Sequence, residues 1–534
     1  MARAPVFLRD ATGLVREFGA LDLLLMMTLV ILSLDYSSLQ FPWFYGFNPG
    51  AYLPLALLIA LIPMAFLILS YWGMGVIMPR AGNDYVWVGR VTHPVVGFAW
   101  SLLYMVALFC TCYVSVIGLF SLTISTSLAT WGILFSVPSL VTLGTWLSSA
   151  FGSFVFAVLL TIPFAVLAVV GAKAVKGLVY IGMIVSLVGF LAMWSILITA
   201  SPTTFGAKWD SFFSQYTTYQ GMFAAAAKAG WVPPTFSIAA TIVGLPIATL
   251  FLFGAPMSSM IAGEIKNVRR ALPIALVLST VITAIQWSIT AQLTLGAVGE
   301  KWMSAVGYLW DINPSAYYTA IPYPPTQPMI LSLLAYPNQA LVFIVLFAFI
   351  VGSIPASFVF LWLPTRYIFA WAFDRVIPSK MADVGSRLGT PHYAVGATSV
   401  LAMLLLYLYS YTGFGAFFAM GTFLQELCYG VIGITVLIFP FVRKDMVDLA
   451  PSFMRKRIGG LPLIGLIGAL TAISFGSLSY LAGTNPLVSP TTTLGTAIAI
   501  GLVIAALVIY YASLVYYRRK GIDIALALKE IPPE

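Results

Sequence analysis

Twelve apolar runs punctuated by Gly, Pro and charged clusters make up most of the chain. They fall at 22–47, 51–78, 95–125, 150–171, 177–200, 237–262, 271–296, 338–373, 393–411, 414–440, 459–483 and 493–517. A helix needs about 20 apolar residues to cross a hydrocarbon core. The pattern therefore predicts an all-α integral membrane protein with 12 transmembrane helices. The first run is interrupted near its middle, and the eighth is long enough to extend beyond the bilayer.

Polar residues break the apolar pattern at matching places in two runs. In the first, Leu32-Ser33-Leu34-Asp35-Tyr36-Ser37-Ser38-Leu39-Gln40-Phe41-Pro42 brings a charge, hydroxyls and a proline into the middle of the span. In the sixth, Phe253-Gly254-Ala255-Pro256 falls at a similar depth. The second lies five helices further along the chain than the first, so the second unit crosses the membrane in the opposite sense. Such paired interruptions point to a five-plus-five inverted repeat with unwound helices 1 and 6. Where a helix unwinds, hydrocarbon cannot satisfy the freed amides and carbonyls, whereas a solute or ion can. A proline kink packed against its neighbours is the alternative for each break taken singly.

Composition agrees with a lipid environment: 61% of the residues are hydrophobic, 8% are charged, and the mean hydropathy is +0.99. The net charge of +9 raises the question of a nucleic-acid partner, but its distribution answers it. With the N-terminus inside, all of the 26 Lys and Arg residues except Lys208, Lys228 and Lys301 fall on inner segments. The positive-inside rule thus predicts a multi-pass protein of the plasma membrane with both termini cytoplasmic, and no nucleic-acid partner is expected. The first 20 residues are mixed and charged, unlike a cleavable signal peptide.

The predicted organisation runs as follows. Residues 1–21 form a cytoplasmic tail, 22–200 the first repeat, 201–236 an extracellular loop and 237–440 the second repeat. A cytoplasmic loop at 441–458, helices 11 and 12 at 459–517 and a tail at 518–534 complete it. The outer segments 201–236 and 297–337 are rich in Pro, Tyr and Trp, among them Tyr308, Trp310, Tyr317, Tyr318 and Tyr323. Interfacial anchoring and a lid over an outer vestibule are both open to them.

Three segments carry a resemblance to a known family. Met78-Pro79-Arg80-Ala81-Gly82-Asn83-Asp84-Tyr85 through Arg90, then His93-Pro94 and Gly97-Phe98, is similar to a motif of the amino acid–polyamine–organocation superfamily. So are Gly263-Glu264-Ile265-Lys266-Asn267-Val268-Arg269-Arg270-Ala271-Leu272-Pro273 and Thr365-Arg366-Tyr367 through Arg375-Val376-Ile377-Pro378 with Thr390-Pro391. The three come in that family's order, on the loops where it carries them. The resemblance implies the five-plus-five fold, two peripheral helices, alternating access, and a solute cradled between helices 1 and 6. On it the substrate-binding candidates are Ser33, Leu34, Asp35, Tyr36, Phe253, Gly254, Ala255 and Pro256. The chain departs from the family's pattern at three places. Asp35 stands where the second glycine of a helix 1 GxG is usual, Pro256 where Glu is frequent in helix 6, and Ser186 where many relatives have a lysine in helix 5.

Asp35 and Glu426 are the acids set deep in apolar spans, where insertion of an Asp costs about 3 kcal/mol. Asp35 has two functional readings: its carboxylate binds a cationic amine, or it carries a proton. A structural hydrogen bond, to Ser37 or Ser38 for example, is a third. Glu426 either has a structural partner or couples ion movement. Ser353 and Ser357 bracket Pro355 in helix 8. They could hold Na⁺, which prefers hard oxygen ligands, or satisfy backbone around the proline. Gln286 and Gln292 are pathway or packing residues. The ion-coupling candidates are thus Asp35, Ser186, Ser353, Ser357 and Glu426, with H⁺ or Na⁺ as the ion.

Catalytic chemistry finds little to work with. Cys110, Cys112 and Cys428 lie inside apolar runs, and His93 and His392 stand alone beside loop prolines. No metal spacing appears, and no metal, cofactor or enzymatic activity is expected. A channel would need a continuous lined pore, whereas polarity here concentrates at the midplane breaks. The expected function is secondary transport of an amino acid, amine or polyamine by a permease that is a monomer or homodimer, as symporter or antiporter. A transport-inactive membrane sensor is the alternative. Membrane lipid is the other expected partner.

Overall fold

The computed structural model describes residues 13–32, 34, 36–412, 414, 420–485, 489, 493–524 and 530, without the side chains of 36–40, 110, 111 and 493. Among these residues, ten helices are long and apolar enough to cross a membrane. They are Leu53–Ile77, Ser115–Leu134, Ala150–Val170, Ala172–Ile198, Val268–Val298, Gln339–Phe373, His392–Tyr411, Gly421–Val442, Leu463–Thr484 and Leu494–Arg519. The chain is therefore an all-α, multi-pass membrane protein.

The first and sixth apolar runs are built from shorter pieces. Helix Ala20–Ile31 is followed, beyond a short interval, by helix Tyr36–Phe47. The sixth run is divided into helices Ile238–Val243, Leu245–Thr249 and Gly254–Met257 and a 3₁₀ turn at Ser258–Met260, with a tightened, hydrogen-bonded turn at 250–253.

The third run is longer than its hydropathy predicts. Helix Pro94–Leu108 leads into a π-helical segment, Phe109–Tyr113, then one α turn, a second π segment at Leu119–Ile124 and helix Ser125–Leu134. Each π segment inserts an extra residue into a turn, a distortion that proteins retain mainly at functional places.

Small residues set the helix packing. A Cβ added at Gly182 would stand 2.6 Å from the Pro355 ring, one at Gly189 2.5 Å from Ala348, and one at Gly352 2.9 Å from Ser186 Oγ. Helices Ala172–Ile198 and Gln339–Trp362 thus touch along a seam of small side chains, as lipid-embedded helices do when close packing must hold them together. A second seam joins helices Gly421–Val442 and Leu463–Thr484. There a Cβ at Gly433 would stand 2.3 Å from the Ala472 amide, and one at Gly468 2.2 Å from that of Leu437.

The two predicted outer segments are themselves folded. They contain helices Pro202–Phe213, Tyr219–Lys228, Glu300–Ile312, Pro314–Ala320 and Gln327–Ala335. Their aromatics form a core of their own: Trp302 stacks on Tyr219 at 5.8 Å and meets Trp209 and Phe205 edge-on at 5.2 and 4.9 Å. Tyr317 is buried in the same region and donates to the Tyr323 carbonyl at 2.7 Å. Helix Glu300–Ile312 lies directly on helix Tyr36–Phe47, where a Cβ at Gly46 would stand 2.6 Å from the Gly307 carbonyl oxygen.

Candidate functional site

The sixth run changes its winding ahead of Pro256: the amides of Leu250, Phe251 and Leu252 donate to carbonyls three residues back, at 3.2, 3.1 and 2.9 Å, where an α-helix reaches back four. Helix Leu245–Thr249 ends ahead of Leu250–Phe253, and Pro256 belongs to the first turn of the helix that follows. Proline suits that position, because the first amides of a helix have no partner within it. The interruption therefore occupies 250–253, with Gly254, Ala255 and Pro256 opening the next segment. All three residues are buried, as is Phe253.

Gly254 meets the first run directly. A Cβ there would stand 2.5 Å from Ile31 Cγ1 and 3.0 Å from the Met27 carbonyl oxygen. Ile31 is the last residue of helix Ala20–Ile31, so its carbonyl lies where intrahelical donors run out. The Trp287 indole N–H donates to it over 3.0 Å. Around that bond Phe251 lies 5.2 Å, Phe190 5.7 Å and Phe41 6.0 Å from the Trp287 ring. Four aromatic rings from four parts of the chain thus enclose the place where the two interrupted runs meet. Phe253 stacks separately on Phe360 at 6.1 Å.

Among the remaining sequence candidates, Ser33 and Asp35 lie outside the described residues. Tyr36 opens helix Tyr36–Phe47. Leu34 is fully buried, and a Cβ at Gly189 would stand 2.7 Å from its Cδ1. Ser186 lies on the same seam, buried, with no hydrogen-bond partner for its hydroxyl among the described residues. The Ser353 hydroxyl donates to the Phe349 carbonyl at 2.7 Å and that of Ser357 to the Ser353 carbonyl at 3.1 Å. Both hydroxyl protons are thus used within their own helix. Gln286 donates to Thr290 at 3.0 Å, and Gln292 accepts from the Tyr52 hydroxyl.

Glu426 belongs to a different neighbourhood. Its Oε1 is within hydrogen-bond reach of the Thr249 hydroxyl, in the last helical residue before the interruption of the sixth run. It is fully buried, and its Oε2 has no partner among the described residues.

The three sequence motifs converge on one face, the one that carries most of the basic residues. Phe18 lies beside Ile265 in a parallel bridge, with the Glu17 and Phe18 amides donating to the Glu264 carbonyl at 2.9 and 3.1 Å. The Glu264 side chain receives both ends of the Arg366 guanidinium at 2.8 Å each. That guanidinium lies 4.1 Å over the Trp362 ring. Gly82 adopts φ +64, and a Cβ on it would stand 2.8 Å from Ala370 Cβ and 3.0 Å from the Arg366 carbonyl oxygen. The glycine of the first motif is thus required by the backbone of the third. Arg90 pairs with Asp374 at 2.7 Å, and the Tyr85 hydroxyl donates to the same carboxylate at 2.7 Å. Both ion pairs are buried, at 2% and 6% exposure for Arg366 and Glu264 and 0% and 1% for Arg90 and Asp374. On the same face Lys176 pairs with Asp22 at 3.0 Å. A cavity of about 490 Å³ opens beside the Glu264–Arg366 pair, with Lys173, Arg387 and Thr390 also in its wall.

Asp84, in the first motif, is buried between two tyrosines. The Tyr367 hydroxyl donates to it at 2.7 Å and that of Tyr71 at 3.3 Å. Burial pushes its carboxyl up to about 6, against the opposing pull of these hydrogen bonds. Sequence reading missed this cluster, and with it Trp287, Phe251 and Thr249, since each is an ordinary residue within an apolar run. The one signal was Asp84 itself, an acid inside a specific motif.

Fold and site together define a multi-pass helical membrane protein whose sixth apolar run is broken into short segments and whose buried ion pairs gather on one face. The chain belongs to the amino acid permease family, whose model matches residues 23–507, and hence to the amino acid–polyamine–organocation superfamily. No curated protein matches it. Family membership makes it a transporter of amino acids or related solutes.

Proposed function

We propose that the protein moves an amino acid, or a related amine or polyamine, across the plasma membrane by alternating access. The solute sits between the interruptions of helices 1 and 6, within the five-plus-five repeat, in a bundle of 12 spans with both termini cytoplasmic. The observation that carries this reading is the approach of Gly254 to Ile31 and Met27, which joins the interrupted sixth run to the end of helix Ala20–Ile31 under an aromatic enclosure. Rings of this kind pack on the apolar part of a solute, while freed backbone groups hold its charged ends.

The basic face is then the cytoplasmic one. Its Glu264–Arg366 and Arg90–Asp374 pairs hold the inner side shut, because a buried pair that parts leaves two uncompensated charges. Asp35, at the helix 1 interruption, is the residue that selects for an amine or carries a proton. The coupling ion is H⁺ or Na⁺, or the protein works as an exchanger. Symport would follow from a proton taken up with the solute, antiport from one given up.

The test is a thermal-shift screen of the purified protein with alanine, arginine, agmatine, putrescine and spermidine, repeated on Asp35→Asn. Amine recognition predicts that the cations stabilise the wild type and lose this effect in the variant. Stabilisation by alanine that survives the substitution rejects amine selectivity. The absence of stabilisation by any of the five rejects the assigned solute class.

A further inference from the structure

Asp311 carries its carboxyl into a place built against negative charge. Helices Tyr36–Phe47 and Glu300–Ile312 lie side by side and run in the same direction, with Pro42 and Gly46 of the first against Gly307 and Asp311 of the second. A Cβ at Gly307 would stand 2.5 Å from the Pro42 carbonyl oxygen, and one at Gly46 2.8 Å from Asp311 Oδ2. Both helices end beside this contact, at Phe47 and Ile312. The last carbonyls of a helix have no donor within it, and the end bears a partial negative charge. The Asp311 carboxyl thus lies in the last turn of its own helix and against the last turn of another.

Nothing nearby compensates an ionised carboxyl. Asp311 Oδ2 is buried and has no hydrogen-bond partner among the described residues. Asn48, the first residue beyond helix Tyr36–Phe47, turns its backbone and side-chain N–H groups back to the Phe44 carbonyl, at 3.2 and 3.1 Å. Its own Oδ1 is buried and likewise has no partner among the described residues. The contact therefore presents acceptors, which a carboxylic acid can use and a carboxylate cannot.

We infer that Asp311 is a proton site that fastens the outer segment to the outer half of helix 1: protonated, it keeps helix Glu300–Ile312 seated on helix Tyr36–Phe47, and ionised it drives the two apart. That these helices lie on the external side, and that the second is a moving half of helix 1, rests on the orientation and the alternating access proposed above. Seating of the outer segment then holds the outer side shut in an acidic medium and releases it as the medium becomes alkaline. The proton comes from the external water and returns to it, and no other group changes its charge.

The sign follows from where the proton is held more tightly. Burial pushes the seated carboxyl well above its ordinary value of 3.8, while parting of the helices returns it to water. The seated state is therefore favoured in full below 3.8, and its advantage is lost as pH rises from there through the seated value.

The titratable groups on the neighbouring elements are engaged elsewhere or exposed. On helix Tyr36–Phe47 the Tyr45 hydroxyl accepts from the Leu53 amide at 3.4 Å. From helix Tyr219–Lys228, Tyr219 donates to the Val298 carbonyl at 2.9 Å, and Lys228 is exposed. From helix Pro314–Ala320, Tyr317 donates to the Tyr323 carbonyl, and Tyr318 accepts from the Trp310 indole at 3.3 Å. On the helix of Asp311 itself, Tyr308 donates to the Ala229 carbonyl at 3.2 Å, and Glu300 and Lys301 are exposed in the first turn. Helix Val268–Val298 carries its charges, Arg269 and Arg270, at its opposite end.

Hydrogen exchange of the backbone amides in helix Glu300–Ile312, read by mass spectrometry on the full-length purified protein without solute, tests the site. The range is about pH 5 to about pH 8, below the ordinary titration of tyrosine. Asp311→Asn keeps a neutral side chain at every pH, and comparison at equal pH cancels the intrinsic pH dependence of exchange. The ratio of wild-type to variant rates should rise with pH, by up to about tenfold per unit and at least about tenfold over the range. Glu300→Gln should follow the wild type. In the wild type alone, rates divided by those of an unstructured peptide of the same sequence should rise likewise, so the result does not depend on the variant folding. A ratio that stays constant with pH, or a flat wild-type profile, overturns the proposal. Neither solute nor membrane sidedness enters the measurement, so failure of the proposed solute class or orientation leaves this result standing, and the converse holds.

Discussion

The indole of Trp287 reaches across to the Ile31 carbonyl and supplies, from a side chain, the donor that a continuing helix would have provided. A buried acceptor left without a partner costs about 1–3 kcal/mol. Trp287→Phe keeps an aromatic ring in the cluster and loses only the donor, so thermal unfolding should show a loss within that range. Trp287→Ala also opens a cavity among Phe41, Phe190 and Phe251, and should cost more, about 3–5 kcal/mol. A Trp287→Phe variant that unfolds at the wild-type temperature would mean that the hydrogen bond contributes nothing of its own.

Gly254 leaves no room for a methyl group. In Gly254→Ala the new Cβ meets Ile31 Cγ1 at 2.5 Å and the Met27 carbonyl at 3.0 Å. Overpacking of this kind costs about 1–3 kcal/mol. The Ile31 side chain can be removed, so Gly254→Ala combined with Ile31→Ala should unfold at a higher temperature than the sum of the two single losses predicts. Strict additivity would argue that the contact does not exist.

Glu264 and Arg366 form a buried, two-pronged pair. Removing one partner should cost about 3–5 kcal/mol, since the other charge then stays buried alone. Glu264→Ala and Arg366→Ala should each lower the unfolding temperature sharply. The combination Glu264→Leu with Arg366→Met should recover most of the loss. Arg366→Lys should behave like a partial deletion, because an ammonium cannot make the parallel pair of bonds.

Asp84 makes stability depend on pH in a definite sense. Its carboxyl stands at about 6 in the folded protein against 3.8 unfolded, so between these values the folded state holds more protons. The contribution of Asp84 is therefore greatest below 3.8 and is lost as pH rises to about 6, a change of at most about 3 kcal/mol. Asp84→Asn should flatten that part of the profile, read as unfolding temperature against pH in detergent. An unchanged slope in the variant would show that another group sets it.

Much of the architecture follows from hydropathy alone, because lipid forces backbone groups to pair within each helix and so ties apolar length to helix length. The run at 338–373 is met by Gln339–Phe373, and that at 150–171 by Ala150–Val170. The third helix escaped this logic. Its two π segments arise without a proline or glycine cluster to announce them, and they carry the helix on to Leu134. In the sixth run the Gly-Ala-Pro signal marked the right region, while the break in α-helical hydrogen bonding fell just ahead of it, since Pro256 starts a helix more readily than it sits inside one.

The candidate site was legible only in part. Gly254 was visible from its neighbours in sequence. The tyrosines around Asp84 were not, because residues 71, 104, 367 and 429 are brought together only by the packing of four helices. Glu426 stood out as a charge in an apolar run, yet its partner Thr249 did not, since a threonine hydroxyl is readily satisfied by its own helix. Ser353 and Ser357 illustrate that tendency, each bonded to the carbonyl one turn back.

The seam between helices Ala172–Ile198 and Gln339–Trp362 has a mechanical consequence. With Gly182 against the Pro355 ring and Gly189 against Ala348, the two have no clearance for sliding or for an intruding lipid tail. Close-packed surfaces shift between discrete arrangements and do not deform smoothly. In the proposed alternating access, a seam this tight makes the two helices move together as one beam.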